Sequence, residues 1–497
     1  MRRDYFKEKM KVKNLASVFT SLCLLAVITV SCSSPQKARS ESEHSIEAVL
    51  DSADIRSAAL YQTYCSGCHG EQMLAFADRS WKHGKMKDSL MLSITNGFAD
   101  AGMPKWGAVF TGEQIGEMAD YILKGIEQVE QYGFEEIKLA SDTFRTEALT
   151  FSLDTVVSGM TIPWGMDFLP SGDLLVTEKS GRLYRVDASG KKTVVKGTPK
   201  VRDDVQGGLL DVILHPYFEK NGWLYISYSD YKVEKGDTLS GTAINRYTFK
   251  NDELTESLNL FKGTPYSKAK WHYGSRFAFD KDGYLFFTAS DRANQKVNPQ
   301  TLENAMGKIH RMYDDGRIPD DNPFVNDPKA IASIYTYGHR NAQGLTYNTN
   351  TDIMWSHEHG PRGGDELNIV KAGLNYGWPV ISYGINYDGT TFTNLLEKEG
   401  MEQPVHYWVP SIAPCGMTFV NSDIYPEWKG DILVGSLRFK YLNRCIMDGN
   451  KVVGEETLMK NIGRLRNVKQ GPDGYIYVAV EHPGFVFRLM PINNQTL

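Results

Sequence analysis

Along the last two-thirds of the chain one phrase keeps returning, a turn with Gly or Asp followed by a short apolar strand. It reads Ser171-Gly172-Asp173-Leu174-Leu175-Val176, then Asn221-Gly222-Trp223-Leu224-Tyr225-Ile226, then Asp282-Gly283-Tyr284-Leu285-Phe286-Phe287. A degraded copy, Asn350-Thr351-Asp352-Ile353-Met354-Trp355, precedes Lys429-Gly430-Asp431-Ile432-Leu433-Val434 and Asp473-Gly474-Tyr475-Ile476-Tyr477-Val478. Period-two strands after Gly turns, with no long amphipathic helix between them, predict antiparallel sheet. Six copies at irregular intervals predict the blades of a β-propeller rather than a generic sandwich array. The strand near Thr150–Val156 is placed to close the ring beside the last blade.

The first third follows a different pattern. Ser52-Ala53-Asp54-Ile55 is an N-cap-like start to a helix running into Tyr64, and Ile115, Met118 and Ile122 keep helical spacing between Thr111 and Glu127. Ahead of them Arg2, Arg3, Lys7, Lys9, Lys11 and Lys13 precede an apolar run from Leu15 to Val30, which reads as an export signal rather than a membrane span. Met10 is an alternative start. The run ends Ile28-Thr29-Val30-Ser31-Cys32 and resembles the lipobox of bacterial lipoproteins, although Thr29 departs from the usual Leu. That implies lipidation at Cys32 and a place on the periplasmic side of the bacterial envelope, anchored to the outer membrane. Simple cleavage to a free periplasmic protein is the alternative. The expected organisation is a lipoprotein signal peptide over 1–31, a polar tether over 32–50, a small all-α domain over 51–128, a linker over 129–150 and an all-β six-bladed propeller over 151–495.

Composition narrows the partners. The net charge of −5 is mild and no basic run or stacking platform occurs, so nucleic acid is excluded as a partner. Six cysteines do not form a disulfide framework; Cys415 and Cys445 either pair or stay as buried thiols. Cys65-Ser66-Gly67-Cys68-His69 carries the first chemistry. Two thiols on one helical turn add to the vinyl groups of haem, and the next imidazole faces the iron. No second CxxC or paired His completes a zinc site, and the immediate His69 argues against a redox dithiol. Met103, in Ala101-Gly102-Met103-Pro104-Lys105-Trp106, is the expected sixth ligand; Met73 competes but lies too close to His69 to reach the opposite face. Residues 51–128 therefore resemble a class I cytochrome c domain. A haem c moves electrons, so substrate chemistry must lie in the propeller.

Propeller sites sit on loops around the central channel. The polar segments between strands are Gln206-Gly207-Gly208, Trp271-His272-Tyr273-Gly274, Asp291-Arg292 and Gly338-His339-Arg340-Asn341-Ala342-Gln343-Gly344. The densest is Glu358-His359-Gly360-Pro361-Arg362-Gly363-Gly364-Asp365-Glu366-Leu367-Asn368, followed by Asn375-Tyr376-Gly377-Trp378-Pro379. Pro410-Ser411-Ile412, Ser436-Leu437-Arg438 and Arg464-Leu465-Arg466 come later. Gly363-Gly364 lacks the Lys of a phosphate loop, and no GxGxxG joins a strand to a helix, which argues against nucleotide, NAD or FAD. Trp355, Trp378 and Trp408 read as blade packing. Together these segments make residues 155–490 similar to the pyrroloquinoline quinone (PQQ)-dependent soluble glucose dehydrogenase and aldose sugar dehydrogenase family of six-bladed propellers.

That resemblance implies roles. His272 matches the general base for the sugar C1 hydroxyl, Asp291 the carboxylate that orients it, and Arg340 the cation beside the quinone carbonyl. Gln206, Arg340, Asn341, His359, Asp365, Ser411, Arg438, Arg464 and Arg466 match PQQ contacts, and guanidinium forks suit its three carboxylates. The carbonyls of Gly360 and Pro361 match ligands of the Ca²⁺ against PQQ, and Glu366 and Tyr376 match a second Ca²⁺ site. His359 stands where the glucose dehydrogenase branch has Gln, Arg438 replaces a Lys, and His406 falls near a Tyr of the sugar-side wall. The implied activity is oxidation of an aldose at C1 to the lactone, with electrons passing through haem c to an external acceptor, another cytochrome or a membrane redox protein. Two alternatives are a dehydrogenase for another aldehyde or alcohol such as sorbosone, and a carbohydrate-binding propeller without catalysis.

Overall fold

Strands β1 (Thr143–Arg145) and β2 (Thr150–Val157) come first, then five four-stranded blades: β3–β6 over Pro163–Val195, β7–β10 over Leu209–Lys262, β11–β14 over Gly274–Tyr337, β15–β18 over Ala342–Trp408 and β19–β22 over Pro414–Leu458. The sixth blade takes β23–β25 from Arg464–Pro491 and completes itself with β2 and β1, in the order β1-β2-β25-β24-β23. Thr155 of β2 pairs with Phe487 and Leu153 with Leu489 in an antiparallel ladder, so the two ends of the propeller segment lock into one sheet. This is the closing strand that the sequence predicts. The computed structural model describes residues 52–65, 83–84, 86–98, 103–131, 143–294, 297–386, 390–482 and 484–492.

Each repeated phrase becomes the second strand of a blade, from β4 (Leu174–Glu178) to β24 (Ile476–Glu481). These strands are buried on both faces, as in β4, β12 (Leu285–Ala289) and β20 (Ile432–Ser436), because neighbouring blades cover each side. Continuous apolar runs satisfy that position. Outer β22 (Lys451–Leu458) meets water on one face and alternates instead. Trp355, Trp428, Phe287 and Leu433 fill the spaces between blades; each such side chain contributes about 1.5–3 kcal/mol on burial.

The innermost strands, β3, β7, β11, β15, β19 and β23, share one irregularity. Each loses register with its blade near its beginning, between Pro163 and Met166, Leu209 and Val212, Gly274 and Phe277, Ala342 and Gly344, Cys415 and Met417, and Leu465 and Asn467. A bulge bends a strand and re-aims its side chains. The repeated bulge carries Arg276, Gln343 and Arg466. Below it a 240 Å³ axial cavity is lined by residues of all six inner strands, among them Asp211, Arg276 and Lys469.

The helical region contains α1 (Ser52–Leu60), which widens into a π-type turn at Tyr61–Cys65, then α2 (Lys87–Asn96) and α3 (Gly112–Gln131). Thr111 and Gln114 cap α3 reciprocally, each side chain accepting the other's backbone N–H at 3.2 and 2.9 Å. The core is Tyr61, Leu90, Ile94, Trp106, Ile115, Met118 and Ile122. Helix α3 runs to Gln131 and β1 begins at Thr143, so both ends of the stretch expected to be linker carry structure. Residues 51–497 form one compact unit. The signal peptide and Cys32 lie outside the described residues, and Cys415 and Cys445 are buried free thiols.

Candidate active site

The loop entering β11 (Gly274–Phe279) presents His272, and the chain leaving β12 carries Asp291 two residues on. Their side chains meet at 2.7 Å, His272 Nδ1 to Asp291 Oδ1. A carboxylate only accepts, so Nδ1 carries the proton and Nε2 is left with its lone pair. Gln206 fixes the same loop by accepting the His272 backbone N–H at 2.8 Å. His272 sits at φ +57°, a strained conformation of the kind that clusters at functional sites. Burial, followed by the charge of Arg340, pulls its pKa below the usual imidazole value, with Asp291 opposing. Burial works against the charge of Asp291, but His272, its hydrogen bond and Arg340 hold that carboxyl below its usual range.

Arg340 and Asn341 lie just before β15 (Ala342–Asn348), and His359 and Gly360 just after β16 (Ile353–Glu358). Arg340 donates to the carbonyls of His359 at 3.0 Å and Gly360 at 2.8 Å, and lies 5.3 Å from the centroid of the Trp378 ring. Trp378 in turn donates its indole N–H to Asp291 Oδ2 at 3.0 Å. The expectation that Trp378 only packs a blade is therefore corrected: it links the base's carboxylate to the cation. Asn341 accepts from Gln343 at 3.3 Å, and its carbonyl accepts the His359 backbone N–H at 3.0 Å. His359 donates from Nε2 to the Pro414 carbonyl at 2.8 Å, and burial holds it neutral, well below the usual imidazole range.

Asp365 is a tie between two loops. It accepts from Gly360 N at 2.8 Å, from Ser411 Oγ at 2.7 Å, from Ile412 N at 2.7 Å and from Ala413 N at 2.9 Å. Burial raises its pKa to about 6 despite those donors. Asp365 and Ser411 thus hold the loop walls, a role that composition alone did not suggest. Arg438 reaches back to the Ser411 carbonyl at 3.2 Å. Arg464 and Arg466 both pair with Glu481, Arg464 Nε at 2.9 Å. Burial opposes the Glu481 charge, but the two guanidiniums bring its pKa down to about 2. Glu481 was missed in the sequence; its only signal was its place at the end of the last repeated phrase. His406, expected near a sugar-side wall, sits in the outermost strand of its blade and pairs with Glu455 at 3.2 Å.

Among the described residues no group of three His, Cys, Asp or Glu side chains could hold a metal. A cation here would draw on carbonyl and amide oxygens as well, which suits Ca²⁺. Glu366 lies directly across the ladder from Glu358, and burial first, then Glu358, push its carboxyl pKa well up. The buried Asn368 Oδ1 beside it is without a hydrogen-bond partner, and Tyr376 stacks on His339 at 4.5 Å. A hard divalent ion fits this unneutralised oxygen set. Gly360 is forced to be glycine: a Cβ there would lie 2.2 Å from the Gly363 carbonyl oxygen. The Gly360 carbonyl accepts from Arg340 but keeps a second lone pair that a cation could use.

In the helical region Cys65 and Met103 border the same apolar cluster, with Cys65 Sγ 3.9 Å from Met118 Sδ. Met103 is held by a two-way backbone bridge to Phe98, at 2.8 and 3.0 Å. A thiol and a thioether on one apolar wall fit a haem c. Cys68, His69 and Met73 lie outside the described residues.

Residues 160–488 match the family model of glucose/sorbosone dehydrogenase, and residues 53–122 match that of cytochrome c oxidase, cbb3-type, subunit III. The aldose sugar dehydrogenase YliI of Escherichia coli is 38% identical over 353 residues, covering 69% of this chain and 94% of its own. The apo crystal structure of the soluble aldose sugar dehydrogenase from Escherichia coli is similar at a TM-score of 0.66 and 35% identity, over 69% of this chain and 100% of that one. The PQQ-bound aldose sugar dehydrogenase of Streptomyces coelicolor gives a TM-score of 0.56 at 27% identity, over 69% and 98% of the two chains.

Proposed function

The chain belongs to the glucose/sorbosone dehydrogenase family, and from that premise we propose that it oxidises an aldose at C1 to the lactone with PQQ, passing electrons through a haem c to an external acceptor. The observation that carries this reading is the His272–Asp291–Trp378–Arg340 arrangement, a base with its tautomer fixed and a cation one indole away. His272 Nε2 takes the C1 hydroxyl proton, and Asp291 stabilises the imidazolium that results. PQQ, when bound, supplies the acceptor for the hydride that leaves C1. Arg340 offers positive charge where negative charge arrives. Arg438, Arg464 and Arg466 match the three carboxylates of the cofactor, with Gln206, Asn341 and His359 as polar neighbours and Asp365 and Ser411 fixing the loops around it. Ca²⁺ at Gly360 and Pro361 would polarise the quinone, and a second ion at Glu366 and Tyr376 would stiffen the loop.

The helical domain offers a second centre for reoxidation. An aldose becoming a lactone gives up two electrons and two protons, and a haem c accepts one electron at a time. Cys65, Cys68 and His69 would hold that haem, with Met103 as the sixth ligand. The two electrons leave in succession to a one-electron acceptor and the protons go to solvent. Export and lipidation at Cys32 would place the work on the periplasmic face of the envelope. The test is lactone formation from a panel of aldoses, using an artificial dye, after loading with PQQ and Ca²⁺. Turnover that requires both additions supports the reading; no turnover with PQQ bound overturns it.

A further inference from the structure

The helical domain touches the propeller at a chemically specific point. The Arg362 guanidinium lies over the ring of Tyr64, 4.6 Å from its centroid. Tyr64 directly precedes Cys65, and Arg362 directly follows Pro361 of the loop that carries the Gly360 carbonyl. Both partners are held rigidly. Tyr64 packs edge-on against Trp106 at 5.5 Å and Phe110 at 5.1 Å, in the core that Cys65 and Met103 also border. Arg362 is fixed through its backbone by reciprocal hydrogen bonds with Ile385 at 3.0 and 3.1 Å. Among the described residues no carboxylate pairs with Arg362, so its charge is available to the aromatic face. The following Gly363 packs against the exposed Val409, where a Cβ would lie 3.4 Å from the Val409 side chain.

We propose that Arg362 is a docking residue that seats the cytochrome domain, through Tyr64, on the cofactor loop of the propeller. It acts by position: it makes no bond to substrate and takes no part in C1 oxidation. The inference rests on the proposed relay to haem c, and it adds which face of the haem domain meets which loop. Tyr64, directly before Cys65, is then held against the loop that carries Gly360 and Pro361, so that electron transfer does not wait for a diffusing domain. A cation–π contact shifts a docked equilibrium by about two- to thirty-fold.

The test uses the full chain loaded with haem, PQQ and Ca²⁺. A photoreactive phenylalanine analogue at position 64 should crosslink to the propeller peptide around Gly360–Gly364, a readout independent of turnover. Arg362→Ala and Tyr64→Leu should leave dye-linked aldose oxidation unchanged and slow aldose-driven haem reduction about two- to thirty-fold. Tyr64→Phe, which keeps the ring, should behave as wild type. Crosslinks elsewhere, or wild-type haem reduction in Arg362→Ala, would overturn the proposal. Failure of aldose to reduce haem in the wild type would instead remove the relay, while the crosslink would still decide where the domain docks.

Discussion

Trp378 donates its indole N–H to the Asp291 oxygen that His272 leaves unused, at 3.0 Å, from 87 residues further along the chain. Asp291 is therefore held from two sides, with Ala293 N adding a third donor at 2.7 Å. The carboxylate has no freedom to turn away from His272, and the imidazole has only one tautomer. Trp378→Phe keeps the packing and removes one donor. It should lower kcat by about ten- to hundredfold, the worth of one hydrogen bond to a charged group, about 1.5–3 kcal/mol. His272→Ala should lower kcat by about 10²–10⁴-fold with PQQ still bound. Equal losses in the two variants would show that the indole does more than hold Asp291.

The pH dependence has a defined sign. The active base is neutral His272, and its pKa lies below the usual imidazole value of about 6.5 because of burial and then Arg340. The acid limb of kcat/KM should accordingly fall below that value. Asp291→Asn removes the charge that opposes the shift, so its limb should move to still lower pH. A limb above the ordinary imidazole value would contradict the assignment of His272 as base.

Glu481 links stability to acid. Its folded pKa of about 2 lies below the unfolded value of about 4.3. The unfolded chain therefore takes up the proton first as pH falls. The stability from pairing is complete above the unfolded value and is lost as pH drops towards 2. Glu481→Gln leaves two arginines facing each other and should cost about 3–5 kcal/mol at neutral pH. The difference in unfolding free energy from wild type should shrink between about pH 4 and 2.

Met103 is the expected iron ligand opposite His69. Met103→Ala should leave the covalent haem mass unchanged after denaturation while removing the low-spin six-coordinate spectrum. An unaltered spectrum would move the role to another side chain, with Met73 next.

What could be read from the sequence depended on how local the signal was. The second strands were legible because burial on both faces demands apolar runs such as Leu174-Leu175-Val176. The inner strands were not, since their bulges and channel-facing groups, Asp211 and Arg276 among them, break the alternation. The Cys65-Ser66-Gly67-Cys68-His69 spacing declares itself because its chemistry lies on one turn. Trp378 and Glu481 were missed because each acquires its role only when distant loops converge on the ring. The link between Tyr64 and Arg362 was equally invisible, since neither residue has chemistry apart from the other.

The most direct measurement is stopped-flow mixing of an aldose with oxidised protein carrying haem, PQQ and Ca²⁺, following haem absorbance. The account predicts haem reduction at a rate independent of protein dilution, because residues 51–497 form one unit and the donor and acceptor share a chain. It also predicts that His272→Ala slows this reduction by about 10²–10⁴-fold. Haem that stays oxidised, or a rate that falls in proportion to dilution, would contradict it.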